Sequence, residues 1–173
     1  MTNRHAVPSE DFWTITPFSF ETPDGWTARQ TATHLAYMEV PDEPGTNCGI
    51  LWKRVSRKLD LSEIARMAQT VLAATDPNAE VGVSKRGELN GRPAYVRIAE
   101  LTVGEGDDAT RKGQFYTAFF GPGFGEDRPV ELFEIIGHFD VANAHRLNEI
   151  SEIVASFRFD FRPRAVAESA ESA

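Results

Sequence analysis

Apolar and polar residues alternate with period two along most of this chain and change to a helical period in two places. Phe18-Ser19-Phe20-Glu21 alternates and predicts a short strand. Residues 35–40 set Ala36, Met38 and Val40 on one face of a second strand, because successive side chains point to opposite sides. Residues 49–55 do the same for Ile50 and Trp52. Residues 80–89 and 93–103 flank Asn90-Gly91, a dipeptide that tolerates positive φ at both positions and so predicts a two-residue hairpin. Residues 114–120 are aromatic on both faces, Phe115 and Phe119 on one and Tyr116 and Phe120 on the other, which predicts a central strand. Residues 132–139 form the last predicted strand of the series.

The helical period first appears at Leu61, Ile64, Ala65, Ala68, Val71 and Leu72, a single apolar stripe. Asp60 with Glu63 three residues on has the form of a capping box, and Asp76-Pro77 stops the helix, because the residue before proline avoids the helical region. The second stripe is Leu147, Ile150, Val154 and Phe157, with Asp140 as the predicted N-cap. Strands in hairpin-like groups with only two helices predict an α+β fold: a twisted antiparallel sheet flanked by two main α-helices. Residues 1–17 read as an N-terminal arm in which Phe12, Trp13 and Ile15 can dock, residues 18–161 as one domain, and residues 162–173 as a disordered tail rich in Pro, Ala, Ser and Glu.

Composition sharpens this picture. With 173 residues, 41% of them hydrophobic, and twelve Phe and three Trp, the chain has ample material for a core. Its net charge of −8 argues against nucleic acid, whose binding rests on cations neutralising phosphates. The densest basic cluster, Arg54, Arg57 and Lys58, is followed at once by Asp60 and Glu63 and reads as a solvated strand end. The lone Cys48 cannot form an intrachain disulfide and is expected to be buried and inert. The polar N-terminus lacks the apolar core of a signal peptide, and no stretch has the length of a membrane span, so the expectation is a cytoplasmic protein without a membrane span.

Candidate chemistry is sparse. His138, Asp140 and His145 are close enough in sequence to approach one another, but the plainer reading is a capping aspartate with surface histidines. The glycines at 121, 123 and 125 do not form a phosphate cradle, because the loop leads to a strand rather than a helix. They do make a hinged loop over residues 121–129. Gly121, Gly123 and Gly125 with Phe124 are therefore the candidate partner-binding residues. Glu105, Asp107 and Asp108 lack calcium-loop spacing. Trp26 and Trp52 either line an apolar cavity or serve the core. No catalytic residue, metal site or cofactor is predicted.

Three ordered stretches carry a family resemblance: Phe18-Ser19-Phe20 with Pro23-Asp24-Gly25-Trp26; Leu89-Asn90-Gly91-Arg92-Pro93-Ala94-Tyr95; and the closing helix with Leu147, Ile150, Ile153 and Phe157. Together they resemble the PsbP-like domain superfamily, and within it the actinobacterial LpqN/LpqT lipoprotein family, over residues 18–161. The resemblance implies an antiparallel sheet flanked by helices and a non-catalytic, partner-binding role. The sequence as given shows neither the signal peptide nor the lipid-acceptor cysteine of the lipoproteins, so an envelope location is expected only of a trimmed form. The expected function is a non-enzymatic binding or adaptor protein that holds a protein partner on a sheet face or on the 121–129 loop. A carrier of a small apolar ligand and an enzyme of unknown type are the alternatives. An exposed sheet face also allows a homodimer.

Overall fold

Strands that are apolar on both faces need cover on both sides, and two amphipathic helices supply it most economically when one lies on each face. The computed structural model, which describes residues 15–104, 109–122 and 129–160, has that arrangement. In chain order its elements are β1 (Phe18–Ser19), β2 (Thr27–Arg29), β3 (Ala36–Glu39), β4 (Asn47–Val55), α1 (Leu61–Thr75), β5 (Glu80–Leu89), β6 (Arg92–Val103), β7 (Thr110–Phe120), β8 (Val130–Asp140), α2 (Arg146–Ser156) and β9 (Arg158–Phe159). Seven strands form one antiparallel sheet in the order β2-β3-β4-β8-β7-β6-β5, and β1 pairs with β9 in a separate two-stranded ribbon. No helix among the described residues is long and apolar enough to cross a membrane.

The aromatic strand β7 is central, between β8 and β6, as its two apolar faces predict. Phe115 and Phe119 face α2 and join Phe133, Ile135, Ile150, Ile153 and Phe157 in the larger core. Tyr116 and Ala118 face α1 and pack with Ile64, Ala68, Tyr95 and Leu132. Phe119 stacks on Phe133 at 5.8 Å between centroids, and Phe157 meets both edge-on at 5.1 and 5.7 Å. Each such pair contributes about 0.5–1.5 kcal/mol beyond its buried area.

The hairpin and the first helix form where the local chemistry places them. Asn90 and Gly91 have φ of 50° and 78°, the primed turn that matches strand twist. Asp60 Oδ1 accepts from the backbone N–H groups of Ser62 (2.8 Å) and Glu63 (2.9 Å), while Glu63 Oε2 accepts from the N–H of Asp60 (3.2 Å). The second helix differs from expectation. Asp140 caps a single 3-10 turn, Val141–Asn143, through the N–H of Ala142 (3.0 Å), and α2 begins only at Arg146. The apolar stripe starts at Leu147, so the preceding residues have no face to dock and close into a tighter turn. β4 also begins at Asn47, two residues before the predicted start, because Asn47 and Cys48 find partners in His138 and Gly137 of β8.

Candidate functional site

α1 is held against the β5–β6–β7 side of its face. Gln69 Nε2 donates to Ser84 Oγ (3.2 Å), whose hydroxyl in turn meets the Tyr95 hydroxyl at 3.0 Å. At the helix end the buried Asp76 carboxylate accepts from the N–H of Thr102 in β6 (2.7 Å) and of Asn78 (2.8 Å). These backbone donors, that of Thr102 first, hold the Asp76 carboxyl below the usual carboxylate range. On its other flank α1 overhangs the sheet and leaves a groove of about 160 Å³. The helix wall is Ile64, Met67, Ala68, Val71 and Leu72, and the floor comes from β4, β6, β7 and β8. Ile64, Ala68 and Leu72 are buried against the sheet, whereas Met67 and Val71 form an apolar lip that is 45% and 66% exposed.

The floor is polar and closely connected. Tyr116 donates its hydroxyl to Glu134 Oε1 (2.6 Å), and Lys53 Nζ lies 2.7 Å from Glu134 Oε2. Burial first, and the Glu134 carboxylate second, push the Tyr116 phenol well above its ordinary range. Arg97, only 3% exposed, donates Nη1–H to the Ala68 carbonyl of α1 (2.5 Å) and Nη2–H to Gln114 Oε1, with its guanidinium 5.2 Å from the centre of the Tyr116 ring. Gln114 Nε2 then lies 3.0 Å from His138 Nε2, and His138 Nδ1 lies 3.4 Å from Asn47 Oδ1. If the Gln114 amide donates, His138 carries its proton on Nδ1 and gives it to Asn47. Burial lowers the His138 pKa, in keeping with a neutral ring. This chain of side chains links β6, β7, β8 and β4 beneath α1.

The residues singled out in the sequence fall elsewhere. Trp26 is buried in the α2-side core, and its Nε1–H is held by Glu149 Oε2 at 2.6 Å. Trp52 packs against that same core and donates to Glu131 Oε1 at 3.0 Å. Neither tryptophan lines the α1 groove, nor a second groove of about 170 Å³ beside Asn90, Phe157 and Phe159. Gly121 is buried, and a Cβ there would come 3.0 Å from Phe133 and 3.1 Å from Glu131, so close packing accounts for that glycine. Gly123, Phe124 and Gly125 lie outside the described residues, as do Phe12, Trp13 and the acidic residues 105, 107 and 108. His138 and Asp140 point to separate partners, and no group of His, Cys, Asp and Glu among the described residues is arranged to hold a metal. Cys48 is fully buried, and burial pushes its thiol up to about 12.

Two buried charged residues among the described ones escaped the sequence reading. Glu131, 1% exposed, accepts from the Thr16 N–H (3.0 Å), the Thr16 hydroxyl and Trp52, tying the incoming chain to β8. Arg97 is the other. A signal for it exists: it occupies the same strand phase as Tyr95, Ala99 and Leu101, so an arginine stands in an otherwise apolar row.

No protein-family model matches the sequence, and no curated protein matches it. Solved structures do. The chain superimposes on the crystal structure of LpqN, involved in cell envelope biogenesis of Mycobacterium tuberculosis, with a TM-score of 0.62 and 11% identity, over 80% of this chain and 79% of that one. The solution structure of cyanobacterial PsbP (CyanoP) from Synechocystis sp. PCC 6803 matches with a TM-score of 0.54 and 12% identity, over 89% and 99% of the two chains. The fold is therefore PsbP-like and related to that of LpqN.

Proposed function

We propose that this PsbP-like chain is a non-catalytic accessory protein that binds a small ligand, inserting the ligand's apolar part between α1 and the sheet. The observation that carries this reading is the α1 groove itself: an apolar lip, Met67 and Val71, left exposed beside a floor of fixed polar groups. Apolar walls with a few well-held polar groups are the composition of ligand sites. Its volume of about 160 Å³ is close to that of an apolar cavity that takes up benzene, about 150 Å³, so the inserted part is a single ring or a short chain. The remainder of a larger ligand would lie across the open half of the sheet.

This reading places binding at α1 instead of residues 121–129 or a tryptophan-lined cavity. Methyl NMR of the full chain titrated with 1-octanol tests it. Octanol should shift Ile64, Met67, Val71 and Ile136, which line the groove, and leave Ile150 and Ile153, the buried residues of α2, in place. If the groove methyls stay still while octanol is in excess, the proposed site is wrong.

A further inference from the structure

Arg97 is a buried cation whose partners are all neutral. They are the Ala68 carbonyl, the Gln114 side-chain oxygen and the face of Tyr116, and its Nε–H has no hydrogen-bond partner among the described residues. In a chain with 26 acidic and 18 basic side chains, a guanidinium so placed is not explained by a shortage of carboxylates. A buried donor left unpaired is costly, and a buried charge is normally paired. The other charged groups lining the groove are Lys53 and Glu134, which pair with each other at 2.7 Å. The groove thus retains one uncompensated positive charge, on Arg97, beneath apolar walls.

We infer that the ligand is a small anionic amphiphile, a carboxylate on a short aliphatic or single-ring body, whose carboxylate pairs with Arg97 while its apolar body lies against Met67, Val71 and Ile136. The inference rests on the proposed function of the α1 groove and adds the charge of what fills it. Arginine suits the task chemically: its planar fork presents parallel N–H donors to a carboxylate, and two of its five are already spent on holding α1 and Gln114. The guanidinium also lies over the Tyr116 ring in a cation–π contact. Nε is itself buried, so pairing with it requires the groove to open around Arg97.

Calorimetry of the full chain with octanoate, 1-octanol and octylammonium separates the two claims. Octanoate is expected to bind about ten-fold more tightly than octanol, and octylammonium more weakly than either, since a charge-assisted hydrogen bond is worth at least one decade in affinity. In Arg97→Met the preference for octanoate over octanol should shrink to about two-fold or less while octanol binding is retained. An arginine that only braces α1 would instead lower both affinities together. Should Arg97→Met not fold, Arg97→Gln, which keeps amide donors and removes the charge, gives the same discrimination: the preference for octanoate over octanol should again shrink to about two-fold or less. Equal binding of octanoate and octanol by the unmodified protein, or a preference that survives in Arg97→Met, overturns the anionic ligand and leaves the groove standing. Binding of none of the three removes the groove as a site.

Discussion

Gly137 gives the sharpest test of how the two faces of the sheet are packed. It lies in β8 between Cys48 and Phe115, where Ile150 of α2 rests directly on the bare backbone. A Cβ at position 137 would lie 2.6 Å from Ile150 Cγ2, 2.9 Å from Cδ1 and 3.2 Å from Cγ1. Ile150 is fully buried and β-branched, so its methyls cannot swing aside without moving α2. Overpacking of this kind costs about 1–3 kcal/mol, while replacing a strand glycine with alanine returns about 0.5–1 kcal/mol. Three such close contacts place the cost in the upper half of that range, about 2–3 kcal/mol, so Gly137→Ala should destabilise the protein by about 1–2.5 kcal/mol, a fall of about 2–10 °C in Tm. Ile150→Ala alone should cost about 2–5 kcal/mol, but it deletes all three atoms that meet the new Cβ. In the double variant the two losses should fall short of additivity by about 1–3 kcal/mol. Urea denaturation with a constant m-value measures all three. Gly137→Ala at unaltered stability, or strict additivity in the double variant, would refute this account of the packing. Because α1 lies on the other face, octanol binding by folded Gly137→Ala should be unchanged.

Asn90 combines a positive φ with side-chain hydrogen bonds to the carbonyls of Phe157 (2.5 Å) and Ala155 (3.4 Å) at the end of α2, so Asn90→Ala should lower stability by about 1–3 kcal/mol. Asn90→Gly, which keeps the turn and loses only the bonds, should fall between the two in urea midpoint. The Cys48 thiol, buried and held at about 12, should resist a thiol reagent at pH 8 until the chain unfolds globally. Modification of the native protein at the rate of a free thiol would contradict its burial. The Asp76 carboxyl titrates below its unfolded value, so its stabilising effect is present above about pH 3.9 and is lost as pH falls through the lower folded-state value. The Tm gap between wild type and Asp76→Asn should therefore be open at pH 6 and close on acidification. A gap of constant size would show that the carboxylate charge is not what pins the end of α1.

Short-range chemistry was readable before any coordinates. The Asp60–Glu63 box, the Asp76-Pro77 stop and the Asn90-Gly91 hairpin each depend on groups within a few residues of one another, and each forms where the sequence places it. The central position of β7 was equally legible, because a strand with aromatics on both faces has to be covered twice. The PsbP-like architecture was legible as a resemblance carried by residues 18–26, residues 89–95 and the closing helix. What lay beyond the sequence was whatever depends on partners far along the chain. β9 is two residues long and exists through β1, about 140 positions earlier, and Thr16 is fixed by Glu131, 115 positions on. The start of α2 at Arg146 was settled by where its apolar stripe meets the sheet and not by the Asp140 cap. The groove depends on more still, because no residue pattern states which half of a seven-stranded sheet a helix will cover. Only when α1 docks toward β5 and β6 does Arg97 lose its water, and only then does Val71, expected in the core stripe, stand exposed beside Met67 as a lip. Alternation and caps are properties of neighbouring residues, whereas burial and an uncompensated charge are properties of the assembled layers.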